Sequence, residues 1–160
     1  MSKAFGIAFG AALLVIVILI WTGFSATKGN HLAPTGAIGK VRAQQVTDDI
    51  TFVVIDFNMK NDSDRDMIVH SITGTVVTPE GDVDGSAVAA SDLVDAFRIY
   101  PELGEKYNPV LKERDVLPAH QLLDRMVGIR FDLPVSKVEN RRSIVLKIQD
   151  VTGPVLELTK

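Results

Sequence analysis

The residue types that most often carry catalysis or bind metals are few and scattered in this sequence. Its 160 residues include three histidines, His31, His70 and His120, and no cysteine. The lack of cysteine excludes thiol catalysis, cysteine-ligated zinc, iron–sulfur clusters and an N-terminal lipid-modified cysteine. No histidine belongs to a recognisable catalytic or metal motif, and no nucleophile elbow, phosphate-binding loop or dinucleotide fingerprint occurs. We therefore expect neither an enzyme nor a cofactor, and we predict no catalytic, cofactor-binding or metal-ligating residue.

Two acidic turns offer carboxylates at alternate positions, which is the pattern of calcium loops. The first contains Asp62, Asp64 and Asp66, but Met67 and Thr73 stand where an EF-hand requires glycine and glutamate. The second, at residues 80–84, follows a predicted strand of about twelve residues, which spans ~40 Å at ~3.3 Å per residue. The two turns are thus predicted at opposite ends of the domain, each as a solvated loop.

An apolar segment precedes every other element of the chain. Residues 4–24 are 21 consecutive residues without a charge, and a helix of that length spans ~31 Å, the hydrocarbon thickness of a bilayer. Trp21 lies where an interfacial aromatic anchor belongs. Residues 1–24 are therefore predicted to be a single transmembrane anchor. A cleaved secretory signal is the alternative, because Lys3 precedes the segment and Gly23 and Ser25 are small.

Small residues recur along the predicted anchor. Gly6 and Gly10 form a Gly-x-x-x-Gly pair, and Ala8 belongs to a second row of small residues. Such rows let the backbones of two membrane helices approach closely, so Gly6, Gly10 and Ala8 are predicted to form a helix–helix interface. The alternative is that glycine and alanine are simply common in membrane spans.

The rest of the chain is mildly acidic, with 16 basic residues after Lys3 against 20 acidic ones. This balance argues against nucleic acid as a partner. A three-residue tail ahead of a signal-like helix is normally left in the cytoplasm. We therefore expect a cytoplasmic N-terminus and an extracytoplasmic domain on the cell (inner) membrane. Residues 25–37 have no apolar periodicity and are predicted to be a flexible stalk.

From residue 38 onwards the hydrophobic period is two, which is typical of strands. Val53, Ile55, Phe57 and Met59 share one face of a strand at residues 50–60, and polar Asp56, Asn58 and Lys60 lie on the other, so the strand is predicted to be half-buried. The polar turn after it predicts an antiparallel hairpin with a strand at residues 67–78. Further strands are predicted at residues 38–46, 83–90, 123–133, 143–150 and 155–159. About seven short strands predict an all-β fold, an immunoglobulin-like antiparallel β-sandwich over residues 38–160. On the strand at residues 67–78, His70 is expected on the same face as Ile68, Ile72 and Val76.

The connection at residues 91–120 breaks the strand pattern. Ser91 is predicted to cap a short helix on which Leu93, Phe97 and Tyr100 share a face. A connection of about thirty residues exceeds the usual loop length and is more often functional. Phe97, Tyr100 and Tyr107 are therefore the candidate partner surface. The alternative is that this apolar stripe only covers the open end of the sandwich.

Two stretches carry a resemblance to known domains. The first comprises residues 56–63, Asp-Phe-Asn-Met-Lys-Asn-Asp-Ser, with the strand and Pro-Glu-Gly turn that follow; the second is Gly-Ile-Arg-Phe-Asp-Leu-Pro at residues 128–134 with the final hairpin. They resemble small immunoglobulin-like domains of the FxLYD and telokin-like type on membrane-anchored bacterial proteins, and plant late-embryogenesis-abundant type 2 domains. The resemblance covers residues 38–90 and 121–159, and the insertion departs from it. It implies a non-catalytic binding or scaffolding module.

Together these features predict a non-catalytic, single-pass accessory or scaffolding subunit of a larger membrane protein complex, of which an energy-transducing complex is one kind. Its expected partners are the lipid bilayer and other membrane protein subunits. The alternative is a free-standing surface module that binds a peptide, a glycan or an ion. An extracytoplasmic hydrolase is a third hypothesis, because loop residues on a β-sandwich can catalyse reactions that no sequence motif reveals.

Overall fold

The computed structural model describes Leu14, Ile16, Val17 and residues 34–160. The chain divides into two compact units, Met1–His31 and Leu32–Lys160. In the first unit the three described residues are helical and at least half exposed. Among the described residues, no helix is both long and apolar enough to cross a membrane.

The other predictions for the first unit fall on residues outside the described ones. These are the rest of the anchor at residues 1–24, the small-residue face of Gly6, Ala8 and Gly10, and the interfacial Trp21. They stay predictions from the sequence.

The second unit is built mainly from antiparallel strands. They are β1 (Pro34–Thr47), β2 (Ile50–Asn61), β3 (Met67–Thr78), β4 (Gly81–Ala87), β5 (Val116–Leu117), β6 (Leu122–Phe131), β7 (Ser143–Asp150) and β8 (Val155–Thr159). Two helices, α1 (Ala90–Ile99) and α2 (Val135–Glu139), and a 3₁₀ turn at Pro101–Leu103 complete it. Because β1 begins at Pro34, residues 34–37 pair with β2 and do not belong to a stalk.

The strands follow one hydrogen-bonded path in the order β1-β2-β6-β4-β3-β7-β8, and β5 pairs with β3. Only two residue pairs join β4 to β6, Ser86 with Arg130 and Ala87 with Ile129. This short junction lets the path fold into two layers, β1-β2-β6 and β4-β3-β7-β8. The layers face each other, since a Cβ atom placed on Gly74 of β3 would lie 3.2 Å from the Ile129 side chain of β6.

The main core lies between these layers and takes one side chain in two from each strand, as the pleat dictates. Its largest fully buried members are Phe131, Ile55, Met59, Met67, Leu117, Ile129, Ile144, Leu146 and Ile148. The all-β, antiparallel sandwich predicted from the sequence is therefore confirmed. The immunoglobulin-like topology and the resemblance to the FxLYD, telokin-like and late-embryogenesis-abundant domains stay predictions.

The predicted hairpin between β2 and β3 is wrong. β2 pairs with β1 and β6, whereas β3 pairs with β4, β5 and β7. The turn between them carries the chain from one layer to the other. Buried Asn61 holds it, because its Nδ2 donates to Arg65 O at 2.6 Å and its Oδ1 accepts from Ser63 Oγ at 2.7 Å. The polar turn residues were recognised, but they build an arch and not a hairpin.

The predicted face of β3 is also wrong at its start. The pairing register with β7 shifts between Val69 and Ser71, which is a β-bulge around His70. Before the bulge the odd positions Met67 and Val69 are buried, and after it the even positions Ile72 and Val76 are. An extra residue in one strand reverses which positions face the core, so His70 is exposed.

Candidate interaction surface

Helix α1 opens the insertion and packs one face on the sandwich. Its N-cap is Ala89, without a side-chain cap, because the hydroxyl of Ser91 lies 3.1 Å from Asp92 Oδ1 instead of capping the helix. The predicted Ser91 cap is therefore wrong. The predicted apolar face is right: Leu93 is fully buried, and Phe97 and Tyr100 pack against the same cluster. The Tyr100 N–H closes the helix on Ala96 O at 2.8 Å.

A second apolar cluster lies on the outer face of the β1-β2-β6 layer. It joins side chains of β2 and β6 to side chains of the insertion: Phe52, Val54, Met126, Leu93, Ala96 and Leu103. β2 is consequently buried on both faces, since Val53 and Ile55 face the main core while Phe52 and Val54 face α1. The insertion is thus a packed layer on the sheet and covers its side, whereas the sequence predicted a strand with one polar face.

The buried Arg42 of β1 fastens the insertion to this layer. Its Nη1 donates to the backbone oxygens of Leu103 at 2.6 Å and Glu105 at 2.8 Å. Its Nη2 donates to Asp56 Oδ2 of β2 at 2.6 Å, and the Asn108 amide donates to Asp56 Oδ1 at 3.1 Å. Charge-assisted bonds of this kind are short and directional. We call the contacts of Arg42 with Asp56, Leu103 and Glu105 the arginine clamp.

Two of the three predicted partner-surface aromatics lie against the clamp. The Arg42 guanidinium is 5.1 Å from the centre of the Phe97 ring and 5.2 Å from that of Tyr107. Lys40 Nζ lies 5.0 Å from the Tyr107 ring as well. Such contacts are worth about 0.5–2 kcal/mol each, and more when desolvated. Phe97 and Tyr107 therefore help to hold the insertion in place, and Tyr107 remains 56% exposed.

The third predicted aromatic, Tyr100, lines a groove between α1 and the β1-β2 hairpin. The groove has a volume of about 370 Å³ and a mainly apolar lining, which also includes Asp92, Asp95 and Arg130. Val46, Ile50 and Phe52 line it on the hairpin side, and Val88, Ala96, Ile99 and Tyr100 on the insertion side. Phe52 is buried, whereas Ile99 is 63% and Val46 is 43% exposed. The predicted surface thus divides into a clamp side, with Phe97 and Tyr107, and a groove side, with Tyr100.

The acidic turn at residues 62–66 is held by local contacts. Asp62 pairs with Lys60 at 2.5 Å, and the hydrogen bond from Lys60 is the main cause of the lowered pKa of Asp62. His120 Nε2 lies 2.9 Å from Asp64 Oδ1, and Ala119 N–H donates to Asp66 Oδ1 at 2.9 Å. Across residues 34–160, no three acidic or histidine side chains converge on a point that could hold a metal ion. The turn therefore connects to the end of the insertion by hydrogen bonds.

One buried carboxylate stabilises the layer that contains β3, β7 and β8. Asp150, at the end of β7, is 1% exposed and accepts the backbone N–H groups of Ile68 at 2.7 Å and Thr152 at 2.8 Å. Burial acts to raise the pKa of Asp150, but the hydrogen bonds from the hydroxyl and N–H of Thr152 and from Ile68 outweigh it, so the pKa lies below its usual value. Asp150 is a structural group that joins β3 to the β7-β8 turn.

Sequence reasoning missed the clamp and half of the groove. The alternation predicts Asp56 on a polar face, but Asp56 stands inside the most apolar strand of the domain, and that position is the signal in the sequence for a buried partner. Arg42 gave no such signal, because a charged residue in an edge strand is ordinary. Val46 and Ile50 were recognised only as the ends of two strands.

Comparison with known proteins assigns no family. No protein-family model matches the chain, and no curated protein matches it. Among solved structures, the chain is similar to the archaellum periplasmic stator protein FlaG from Sulfolobus acidocaldarius, with a TM-score of 0.39 and 11% identity, covering 80% of this chain and 100% of that chain. It is also similar to the stator protein complex of FlaF and FlaG from the same organism, with a TM-score of 0.36, 12% identity, and coverage of 83% and 94%. An uncharacterized β-sandwich protein from Clostridium difficile 630 gives a TM-score of 0.34 and 12% identity, with coverage of 81% and 80%. Likenesses this distant establish no function.

Proposed function

We propose that this protein is a non-catalytic, single-pass membrane protein that serves as an accessory or scaffolding subunit of a larger membrane complex. Its β-sandwich lies outside the cytoplasm and contacts a partner through the face of the insertion. The anchor at residues 1–24 tethers it and packs through Gly6, Ala8 and Gly10 on a neighbouring helix.

The observation that supports this proposal best is the way the insertion is built. Arg42 is 9% exposed, and its hydrogen bonds hold the insertion to β1 and β2. Buried ion pairs add little net stability but fix one geometry. The same insertion leaves Val94, Ile99 and Tyr107 about half exposed or more. A fixed surface with exposed aliphatic and aromatic side chains is typical of a contact site. Because the chain is already ordered, it loses little conformational entropy when the partner binds.

The test is the composition of the particle that the intact chain forms. After extraction in a mild detergent, native mass measurement is expected to find the chain together with other membrane subunits. The double variant Gly6→Ile/Gly10→Ile is expected to lose these subunits, since bulky side chains separate helix backbones. Ile16→Leu is the control inside the same segment and should retain them, because position 16 lies off the face of Gly6 and Gly10 on a helix and the change conserves side-chain volume. An intact chain that migrates as a monomer with no co-purifying subunit would contradict the proposal.

The groove also favours a second function, a free-standing surface module that binds a peptide. This version predicts binding that is indifferent to Gly6→Ile/Gly10→Ile and is lost when groove residues change. The two functions are therefore separated by which set of variants abolishes association.

A further inference from the structure

The groove beside α1 has the size and lining of a site for protruding side chains. Its volume of about 370 Å³ falls within the range of pockets that hold small organic groups. Buried Phe52 forms a floor, and exposed Ile99 and Val46 stand on opposite walls. Apolar side chains left in water around a concavity mark a binding site more often than scattered exposed residues do.

Carboxylates lie on the α1 wall of the groove and in the turn that joins the two hairpin residues Val46 and Ile50. Asp92 and Asp95 line the α1 wall, and exposed Asp48 and Asp49 form the turn between the wall residues Val46 and Ile50. Two arginines lie here, and each pairs with an aspartate: Arg98 with Asp95 at 2.8 Å, and Arg130, which itself lines the groove, with Asp132 at 3.1 Å. These five aspartates and two arginines give a formal charge of −3 around an apolar floor. Nucleic acid and anionic lipid headgroups would be repelled by it.

We propose that the groove binds a segment of a partner protein that inserts a leucine- to phenylalanine-sized side chain between Val46 and Ile99 and places a lysine or arginine beside Asp92. The inference names the chemistry of the partner for the surface described above and therefore rests on the proposed function. Burial of the apolar anchor supplies most of the affinity. The rim carboxylates select a basic segment, speed its association and make it sensitive to salt.

The arginine clamp gives this groove a fixed second wall. Leu103 and Glu105 follow α1 directly, and their backbone oxygens are held by Arg42. Since the clamp fixes the chain just after Tyr100, the α1 wall keeps its place relative to Val46 and Ile50. A preformed site of this kind binds with little loss of chain entropy.

The test selects displayed random peptides of about a dozen residues on the intact chain in a zwitterionic lipid nanodisc. The enriched peptides are expected to carry an aliphatic or aromatic residue close to lysine or arginine. The affinity of the strongest one should fall about tenfold in Ile99→Ser, which removes apolar contact. It should fall about threefold, with a weaker dependence on salt, in Asp92→Asn/Asp95→Asn. Val155→Ser, an equally simple change at an exposed residue of β8 outside the groove, should leave the affinity unchanged.

Acidic or purely polar enriched peptides, no enrichment, or an affinity that Ile99→Ser leaves intact would overturn the inference. These results are distinct from failure of the proposed function. If no peptide binds but the chain still co-purifies with membrane subunits, the groove assignment fails and the accessory role stands. If basic apolar peptides bind as expected but the intact chain is always alone, the groove assignment stands and the accessory role fails.

Discussion

Arg42 is the residue on which the insertion depends most. The substitution Arg42→Met should lower the free energy of unfolding by about 3–5 kcal/mol, because it leaves the carboxylate of Asp56 buried without its cation. Thermal unfolding of the intact chain in detergent measures this loss. Hydrogen exchange should also show faster exchange of the Leu103 and Gly104 N–H groups, which close the 3₁₀ turn.

Arg98→Met is the matched control for this prediction. Arg98 also pairs with an aspartate, Asp95 at 2.8 Å, but its side chain is 78% exposed. An exposed ion pair contributes about 0–1 kcal/mol, so the melting temperature of the control should be close to that of the parent. Equal losses in the two variants would contradict the prediction, because they would show that Arg42→Met does not leave a buried, unpaired charge at Asp56. In the double variant Arg42→Met/Asp56→Leu most of the lost stability should return, since no unpaired charge then remains.

Asp150 makes the free energy of unfolding of the sandwich depend on pH. Its folded pKa lies below the usual value, so its contribution to stability is complete above about pH 4 and is lost as the pH falls through the folded pKa. Asp150→Asn should be about 1–3 kcal/mol less stable than the parent at pH 7, because an amide nitrogen cannot accept the donors that the carboxylate oxygens accept. The difference should shrink as the pH falls below about 4 and through the lower folded pKa, where the folded parent becomes protonated too.

Melting temperatures of both proteins between pH 2 and 7 check this prediction. Asp124→Asn, a change of an exposed aspartate in β6, provides the control and should follow the parent at every pH. A constant difference between Asp150→Asn and the parent across the range would mean that the carboxylate does not carry the effect.

Among the elements, the local sequence pattern predicted where strands lie better than it predicted which strands pair with each other. The alternation of β7 and β8 gave both strands with the bounds that the structure has, because each has one face in the core and a turn at its end. The arch at Asn61 and the bulge at His70 escaped prediction. Both depend on which strand lies beside which, and no local periodicity carries that information.

The two-sided burial of β2 also determines what α1 can be. The sequence predicted a polar outer face for this strand, yet Phe52 and Val54 face outwards and need a cover. Leu93 and Ala96 of α1 supply it. A connection of thirty residues was recognised as unusual from its length, but its position over β2 followed only from the structure.

Gly128 of β6 links this packing to the groove. A Cβ atom there would lie 2.6 Å from Phe52 Cζ and 2.8 Å from Val88 Cγ2, and both side chains line the groove. Gly128→Ala should therefore displace the groove floor and cost about 1–3 kcal/mol of stability by overpacking. Gly39→Ala in β1 is the control, since its nearest atom, Asp56 O, would lie 3.5 Å away, an ordinary contact.

Thermal melts of the two alanine variants, with a crystal structure of Gly128→Ala, check this prediction. The ring of Phe52 is expected to move towards the groove and reduce its volume. If Gly128→Ala melts at the same temperature as Gly39→Ala and Phe52 does not move, the groove floor is packed less tightly than the short distances at Gly128 imply.

At the scale of the whole molecule, the 46% hydrophobic composition serves two different purposes. Residues 4–24 contribute an unbroken apolar run, which is suited to lipid. The strands contribute alternating side chains, which are buried in two clusters of the second unit. Composition alone suggests one average soluble domain. The distribution of the apolar residues along the chain predicts instead a β domain that residues 4–24 tether to a membrane.

The fragment Leu32–Lys160 should therefore fold without the first unit. Among the residues that the structure describes, every member of both apolar clusters, from Ile38 to Leu158, belongs to it, as do both partners of the Arg42–Asp56 pair. We expect the fragment to remain monomeric in water without detergent and to unfold in a single cooperative transition when followed by circular dichroism and by calorimetry. Ile144→Asp, which places a charge at a fully buried position of β7, is the control that should abolish the transition. A fragment that aggregates, or that melts only when residues 1–31 are restored, would show that the sandwich depends on the segment that we propose merely tethers it.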